Sequence, residues 1–298
     1  MTHKHSQKII LILAVAGLVT LSACGKPQNS ASSAVQSVVS SQSSPQSTAS
    51  AVSSNSSSAT DSAASSPVSA SSQIAAVFTT PPATVVAQST KADPSYLDDA
   101  VFIGDSVSLK LKNYVTAKRK TDANFFGKAR FLTAGSMGSG NALKPLSSSS
   151  IHPSYNGKKA LLEDNVAAMG AKKVYIMLGI NDIAPYGVDD SVKNMAKLLE
   201  NIKAKSPNAM IFVQSSTPMI KTMQMTSLNN PNLAAYDLAL SKMCKEKGYN
   251  YIDVASAMRD SEGNLPLEYC SDPDVLGMHF TDKACEIWIN YLLTHTVK

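Results

Sequence analysis

From Ala100 to Leu292 the chain alternates short apolar runs with longer segments whose apolar residues recur every three or four positions. This alternation limits the fold more than any other feature, because strands separated by helices of crossover length pair in parallel and need helices on both faces. Strands are predicted at Ala100–Ile103, Ala129–Thr133, Val174–Leu178, Met210–Gln214 and Tyr251–Val254. Helices are predicted over Leu109–Ala117, Lys158–Met169, Ser191–Lys205 and Leu233–Lys247. A last helix starts at Thr281 or Asp282 and carries Ile287, Trp288, Tyr291 and Leu292 on one face. The expected class is α/β: a parallel, five-stranded sheet between two helical layers.

Residues 1–23 read as a secretory leader. Lys4 and Lys8 precede the apolar run Ile9–Leu21, and small residues follow. That run is about 13 residues, short of the roughly 20 that a membrane span needs. Leu21-Ser22-Ala23-Cys24 resembles the lipobox of bacterial lipoproteins, which implies lipidation at Cys24, a membrane anchor and an extracytoplasmic location. Residues 24–91 are dominated by Ser, Ala, Val, Gln and Thr. Such a tract carries too few large apolar side chains to offset the entropy of ordering, so it is expected to act as a disordered tether. Residues 92–298 are then the folded domain, long enough for one substantial core.

A net charge of +5 over 298 residues, with the basic residues scattered, argues against a nucleic-acid partner. Besides Cys24 there are Cys244, Cys270 and Cys285, without CxxC or Cys/His metal spacing, so no metal site is expected. One disulfide with a free thiol and three buried small residues are both open readings.

The chemistry gathers where predicted strands end. Ala100–Ile103 runs into Gly104-Asp105-Ser106, the second strand into Gly135-Ser136-Met137-Gly138-Ser139-Gly140, and the third into Gly179-Ile180-Asn181-Asp182. A parallel sheet delivers all these carboxyl ends to one edge, where ligands bind. Ser106 can serve there as a nucleophile or, following Asp105, as an ordinary helix cap. A serine nucleophile needs a base, and the oxyanion it creates needs fixed donors. The backbone N–H groups of Ser106 and Gly138 and the amide of Asn181 are suitable donors. Asp105 and Asp182 are read as supports of their loops. For the base, His152 lies in the polar loop 147–157, whereas His279 directly precedes the last helix, and a rigid element positions a base better. His279 is therefore preferred. Tyr155, Tyr186 and Met223 fall in loops that can line a cleft or pack at the surface, and Met219–Met225 reads as an apolar lip or loop filler.

Gly104-Asp105-Ser106, Gly138 in its glycine-rich turn, Gly179-Ile180-Asn181-Asp182 and Gly277-Met278-His279 together resemble the four ordered blocks of the SGNH, or GDSL-type, hydrolases. The resemblance runs through the whole predicted domain. It implies a flavodoxin-like three-layer α/β/α sandwich that hydrolyses esters, often acetyl esters on carbohydrate, without a cofactor. It also implies Ser106 as nucleophile, His279 as base, and Gly138 and Asn181 as oxyanion donors.

One position departs from the family pattern. The usual acid three residues before the histidine is Leu276 here. Asp274 is the first choice to orient His279 and Asp272 the second. A backbone carbonyl can do so instead, and either acid can simply cap a turn. The expected function is hydrolysis of O-acyl esters on cell-envelope or extracellular carbohydrate. Alternatives are acyl transfer at the same site and, because of Leu276, a glycan- or solute-binding lipoprotein that has lost catalysis.

Overall fold

In the computed structural model, which describes residues 85–297, the run Ala100–Gly104 forms β1 and all five of its residues are buried. Both faces of this strand must therefore be covered, as expected for the middle of a parallel sheet. It pairs in parallel with β2 (Arg130–Thr133) on one side and β5 (Lys173–Met177) on the other. Beyond β5 lie β6 (Met210–Gln214) and β7 (Asn250–Ile252), giving the order β2-β1-β5-β6-β7. The five expected strands are all present and all parallel.

Side-chain alternation along the strands separates two cores. Val101, Ile103, Val174, Ile176, Ile211 and Val213 face one way. There they meet α3 (Leu162–Met169), α4 (Ile183–Lys205) and α5 (Asn230–Lys247) through residues such as Val166, Leu198 and Leu240. Phe102, Tyr175, Met177 and Phe212 face the other way, against α1 (Ser106–Lys118) and α6 (Asp282–Leu293). Strand register aligns Phe102, Tyr175 and Phe212 in a row, stacked at centroid distances of 4.7 and 4.4 Å. Such offset aromatic contacts add to what area burial alone supplies. The three layers are thus helices, sheet and helices.

Several boundaries differ from the sequence expectation for local reasons. The first helix begins at Ser106, not Leu109, because the Asp105 carboxylate accepts the Val107 N–H at 2.9 Å and caps it. Lys158 and Lys159 do not open a helix. They form β4, paired antiparallel with β3 (Ser154–Tyr155) across Asn156-Gly157, both at positive φ (50° and 76°). That backbone is the hairpin turn Asn-Gly favours, and α3 starts only at Leu162. The fourth helix starts at Ile183 and is broken at Gly187, where φ is 69° and ψ 179°.

The leader 1–23, Cys24 and the tract up to residue 84 lie outside the described residues. At the end of that tract Val85 bridges Tyr251, and the Val86 N–H donates to the Tyr251 carbonyl at 2.8 Å, alongside β7. Cys244, Cys270 and Cys285 are all free thiols and all buried.

Candidate active site

Sheet order puts the carboxyl ends of β1, β2 and β5 side by side, and the three strand-end motifs meet there. Gly104 ends β1 where α1 turns back tightly: a Cβ at this position would fall 2.0 Å from Ser108 Oγ and 2.9 Å from the Met177 carbonyl. Only glycine lets the helix start this close to the strand. Ser106 is consequently the first residue of α1, with Asp105 as its cap. Among the described residues the Ser106 N–H has no partner, as for other N–H groups in a first helical turn.

His279 meets Ser106 from the loop that precedes α6. Ser106 Oγ lies 2.9 Å from His279 Nε2, and His279 Nδ1 lies 2.6 Å from Asp272 Oδ2. An ionised carboxylate can only accept, so Nδ1 carries the proton and Nε2 presents a lone pair to the serine hydroxyl. The arrangement can thus take a proton from Ser106 and stabilise the imidazolium that results.

The acid at His279 is Asp272, not the first-choice Asp274. The reason is the fold of the loop, which wraps its backbone around Asp272. The Asp272 carbonyl accepts the N–H groups of Val275 and Gly277, both at 3.0 Å. Its Oδ1 accepts those of Met278 at 3.1 Å and His279 at 3.0 Å. Gly277 closes the turn at φ 67°, and a Cβ there would strike Met223 and Ile220. Burial works against ionisation of Asp272, but the hydrogen bonds from the His279 side chain and backbone and from Cys270 outweigh it and hold the carboxyl below its ordinary value. Leu276, at the family's usual acid position, points no charge at the site and is partly exposed. With Asp272 in place, the ground for reading the site as decayed disappears, and no backbone carbonyl is needed to orient the ring.

The expected oxyanion donors are differently committed. Asn181 Nδ2 donates to Asp105 Oδ2 at 3.2 Å and to the Met137 carbonyl at 3.3 Å. The Gly138 N–H donates to Asn141 Oδ1 at 2.9 Å, closing the first turn of α2 (Ser139–Ala142). A substrate oxygen therefore finds the Ser106 N–H open, while using the other two donors means competing with these internal acceptors. Asp105, completely buried, links two parts of the site by holding both α1 and Asn181. Burial pushes its carboxyl up to about 6.

Asp182 supports a different loop from the one expected. Its Oδ2 accepts from Ser139 N–H at 2.7 Å and Ser139 Oγ at 3.1 Å, and its Oδ1 accepts from Gly140 N–H at 2.9 Å. It clamps the Gly138 turn across from β5. His152 is buried elsewhere: its Nε2–H donates to the Ala142 carbonyl at 3.1 Å, at the far end of α2. Tyr186 lies over Gly140, and Met223 packs beside Gly277. Met219 and Ile220 belong to the core, leaving Met225 as the exposed large apolar residue of the expected lip. Two contributors went unread in the sequence, Asn141 as the partner of Gly138 and Cys270, whose Sγ reaches Asp272. No spacing signals either one.

Residues 148–287 match the model of the GDSL-like lipase/acylhydrolase family. The match contains Asn181, Asp272 and His279, while Ser106 and Gly138 lie upstream of it. No curated protein matches the chain. Three solved structures are among those similar to the chain. A GDSL-like lipase from Bacteroides thetaiotaomicron is 17% identical over 66% of this chain and 87% of its own, with a TM-score of 0.46. A mutant of an acetyl-xylooligosaccharide esterase from Geobacillus is 14% identical over 71% and 96%, at a TM-score of 0.46. The periplasmic domain of a lipopolysaccharide acetyltransferase from Salmonella Paratyphi A is 17% identical over 65% and 81%, at 0.43. With residues 148–287 matching the GDSL-like lipase/acylhydrolase model and set in a five-stranded α/β/α fold, the chain is a serine ester hydrolase.

Proposed function

We propose that the protein hydrolyses O-acyl esters, with O-acetyl groups on cell-envelope or extracellular carbohydrate as its substrate class, from a lipid anchor at Cys24 outside the cytoplasm. The observation that carries the chemistry is the line Ser106 Oγ, His279 Nε2, His279 Nδ1, Asp272 Oδ2, with steps of 2.9 and 2.6 Å across the two hydrogen bonds. His279 accepts the Ser106 proton as Oγ attacks the ester carbonyl. The oxyanion is met by the Ser106 N–H and by Asn181 and Gly138 as they exchange their internal acceptors for it. The imidazolium then gives its proton to the departing alcohol, leaving an acyl-Ser106 ester. In the second half His279 deprotonates a water, which attacks the acyl carbon and releases the acid and free Ser106. No step requires a metal or an organic cofactor.

The location is supported by the order of charge, apolar run and small residues ending at Cys24, and by the tract that follows. The carbohydrate substrate class is our reading of that location taken together with the acylhydrolase match of residues 148–287. The test is direct. The full chain and Ser106→Ala are treated with a fluorophosphonate probe and a chromogenic acetyl ester, then with acetylated envelope polymers. Labelling and acetate release that both vanish in Ser106→Ala are expected. Acetyl groups appearing on an added sugar in place of free acetate would replace hydrolysis by transfer. Cells fed a labelled fatty acid should mark the wild-type protein and not Cys24→Ala.

A further inference from the structure

The Asp272 carboxylate receives one donor that the proton relay does not use. Beside the Met278 and His279 N–H groups, Oδ1 is approached at 3.3 Å by Sγ of Cys270. Cys270 is firmly placed at the neck from which the loop springs. Its backbone bridges Phe280 in antiparallel fashion, the Ser271 N–H donates to the His279 carbonyl at 2.8 Å, and the Thr281 N–H donates to the Tyr269 carbonyl at 2.9 Å. The residue is 6% exposed and shares a core with Phe280 and Trp288. Burial pushes its thiol up to about 11, so at neutral pH the sulfur carries its proton and acts as a donor.

We propose that Cys270 is a positioning residue for ester hydrolysis, its S–H donating to Asp272 Oδ1, which fixes the carboxylate and draws off part of the negative charge that faces His279. The proposal rests on the Ser106–His279–Asp272 reading given above. The other charged groups facing this pair are Asp274 on the same loop and Asp105 at the end of β1. Neither donates to Oδ1. Without the thiol, more negative charge remains on Asp272 to hold the imidazolium. The acid limb of kcat/KM then moves up.

The experiment compares the full chain with Cys270→Val, which keeps an apolar side chain but removes the donor, Cys270→Ala, and Cys270→Ser, which keeps a donor. Loss of one hydrogen bond to a charged group predicts a rise of about half a pH unit in the acid midpoint for the Val and Ala variants. The Ser variant should sit at or below the wild-type midpoint. The His279 Nδ1–H proton resonance, read by NMR without catalysis, should move in the same order. A midpoint and resonance unchanged in all three variants, or shifted equally in Val and Ser, would overturn the role. A wild-type chain that fluorophosphonate does not label would instead overturn the underlying reading, so the two failures are distinguishable.

Discussion

Asp272 grips His279 twice: one carboxylate oxygen accepts the ring Nδ1–H at 2.6 Å, and the other accepts the backbone N–H of the same residue at 3.0 Å. The ring is therefore fixed relative to its own main chain. This couples the tautomer of the base to the closure of the loop 272–279, and it separates the two acids that the sequence leaves side by side.

Asp272→Asn should be severe and Asp274→Asn nearly silent. An amide at 272 can still accept at one oxygen, but it cannot hold the charged imidazolium, and its NH2 favours the wrong ring tautomer. We expect kcat to fall by about 10³-fold or more in Asp272→Asn, and to stay within about twofold in Asp274→Asn. Steady-state kinetics on an acetyl ester measure both. An equal loss in the two variants would mean that the loop, and not the carboxylate, is what matters.

Asp105 should make stability depend on pH in the opposite sense from Asp272. Burial raises the Asp105 carboxyl from 3.8 to about 6, so between these values the folded state binds more protons than the unfolded one. Stability from this group is full below about pH 4 and declines as pH rises to about 6, on the order of 2–3 kcal/mol in all. Asp272, held below its ordinary value, instead contributes above about pH 4 and loses that contribution as pH falls. Urea denaturation of wild type and Asp105→Asn at pH 4 and pH 7.5 isolates the Asp105 part, because other groups cancel in the difference. The wild type should lose ground to the variant on going to pH 7.5. Activity should move the other way, since the NH2 of the new amide faces Asn181 Nδ2, donor against donor.

Much of this site follows from topology alone. Once Ala100–Gly104 and Lys173–Met177 are parallel neighbours, Ser106 and Asn181 have to emerge at one edge, so their meeting is legible from the strand pattern. The two faces of the sheet are legible too, because Val101 and Ile103 alternate with Phe102. The hairpin at Asn156-Gly157 had a clear sequence signal that the apolar periodicity downstream obscures. The choice of Asp272 over Asp274 had none. Both carboxylates have the same reach and flank the same proline, and what distinguishes them is four backbone N–H groups that converge only when the loop closes. Asn141 and Cys270 are unread for a related reason: each acts through one contact made after the chain has turned, at positions where composition suggests an ordinary cap and a core residue.

The Gly138 turn depends on Asp182, and two substitutions should separate its backbone from its clamp. Asp182→Ala strands the buried Ser139 N–H, at a cost of about 1–3 kcal/mol, and leaves the part-buried Gly140 N–H without its acceptor at a smaller cost. Thermal unfolding should show that loss together with a lower kcat, because the Gly138 N–H is then no longer held at the cleft. Gly138→Ala attacks the same contact from the other side. Its Cβ would stand 2.5 Å from Asp182 Oδ1 and 2.7 Å from Asp182 Cγ. The carboxylate cannot swing away without abandoning the same two N–H groups, so the turn itself must shift. We expect Gly138→Ala to lower kcat by about 10²-fold, the scale of losing one oxyanion donor, with a smaller loss of stability than Asp182→Ala. In the double variant the clash disappears with the carboxylate. The two effects on kcat should then fall well short of multiplying, whereas strictly multiplicative losses would show that the turn and Asp182 act on the reaction independently.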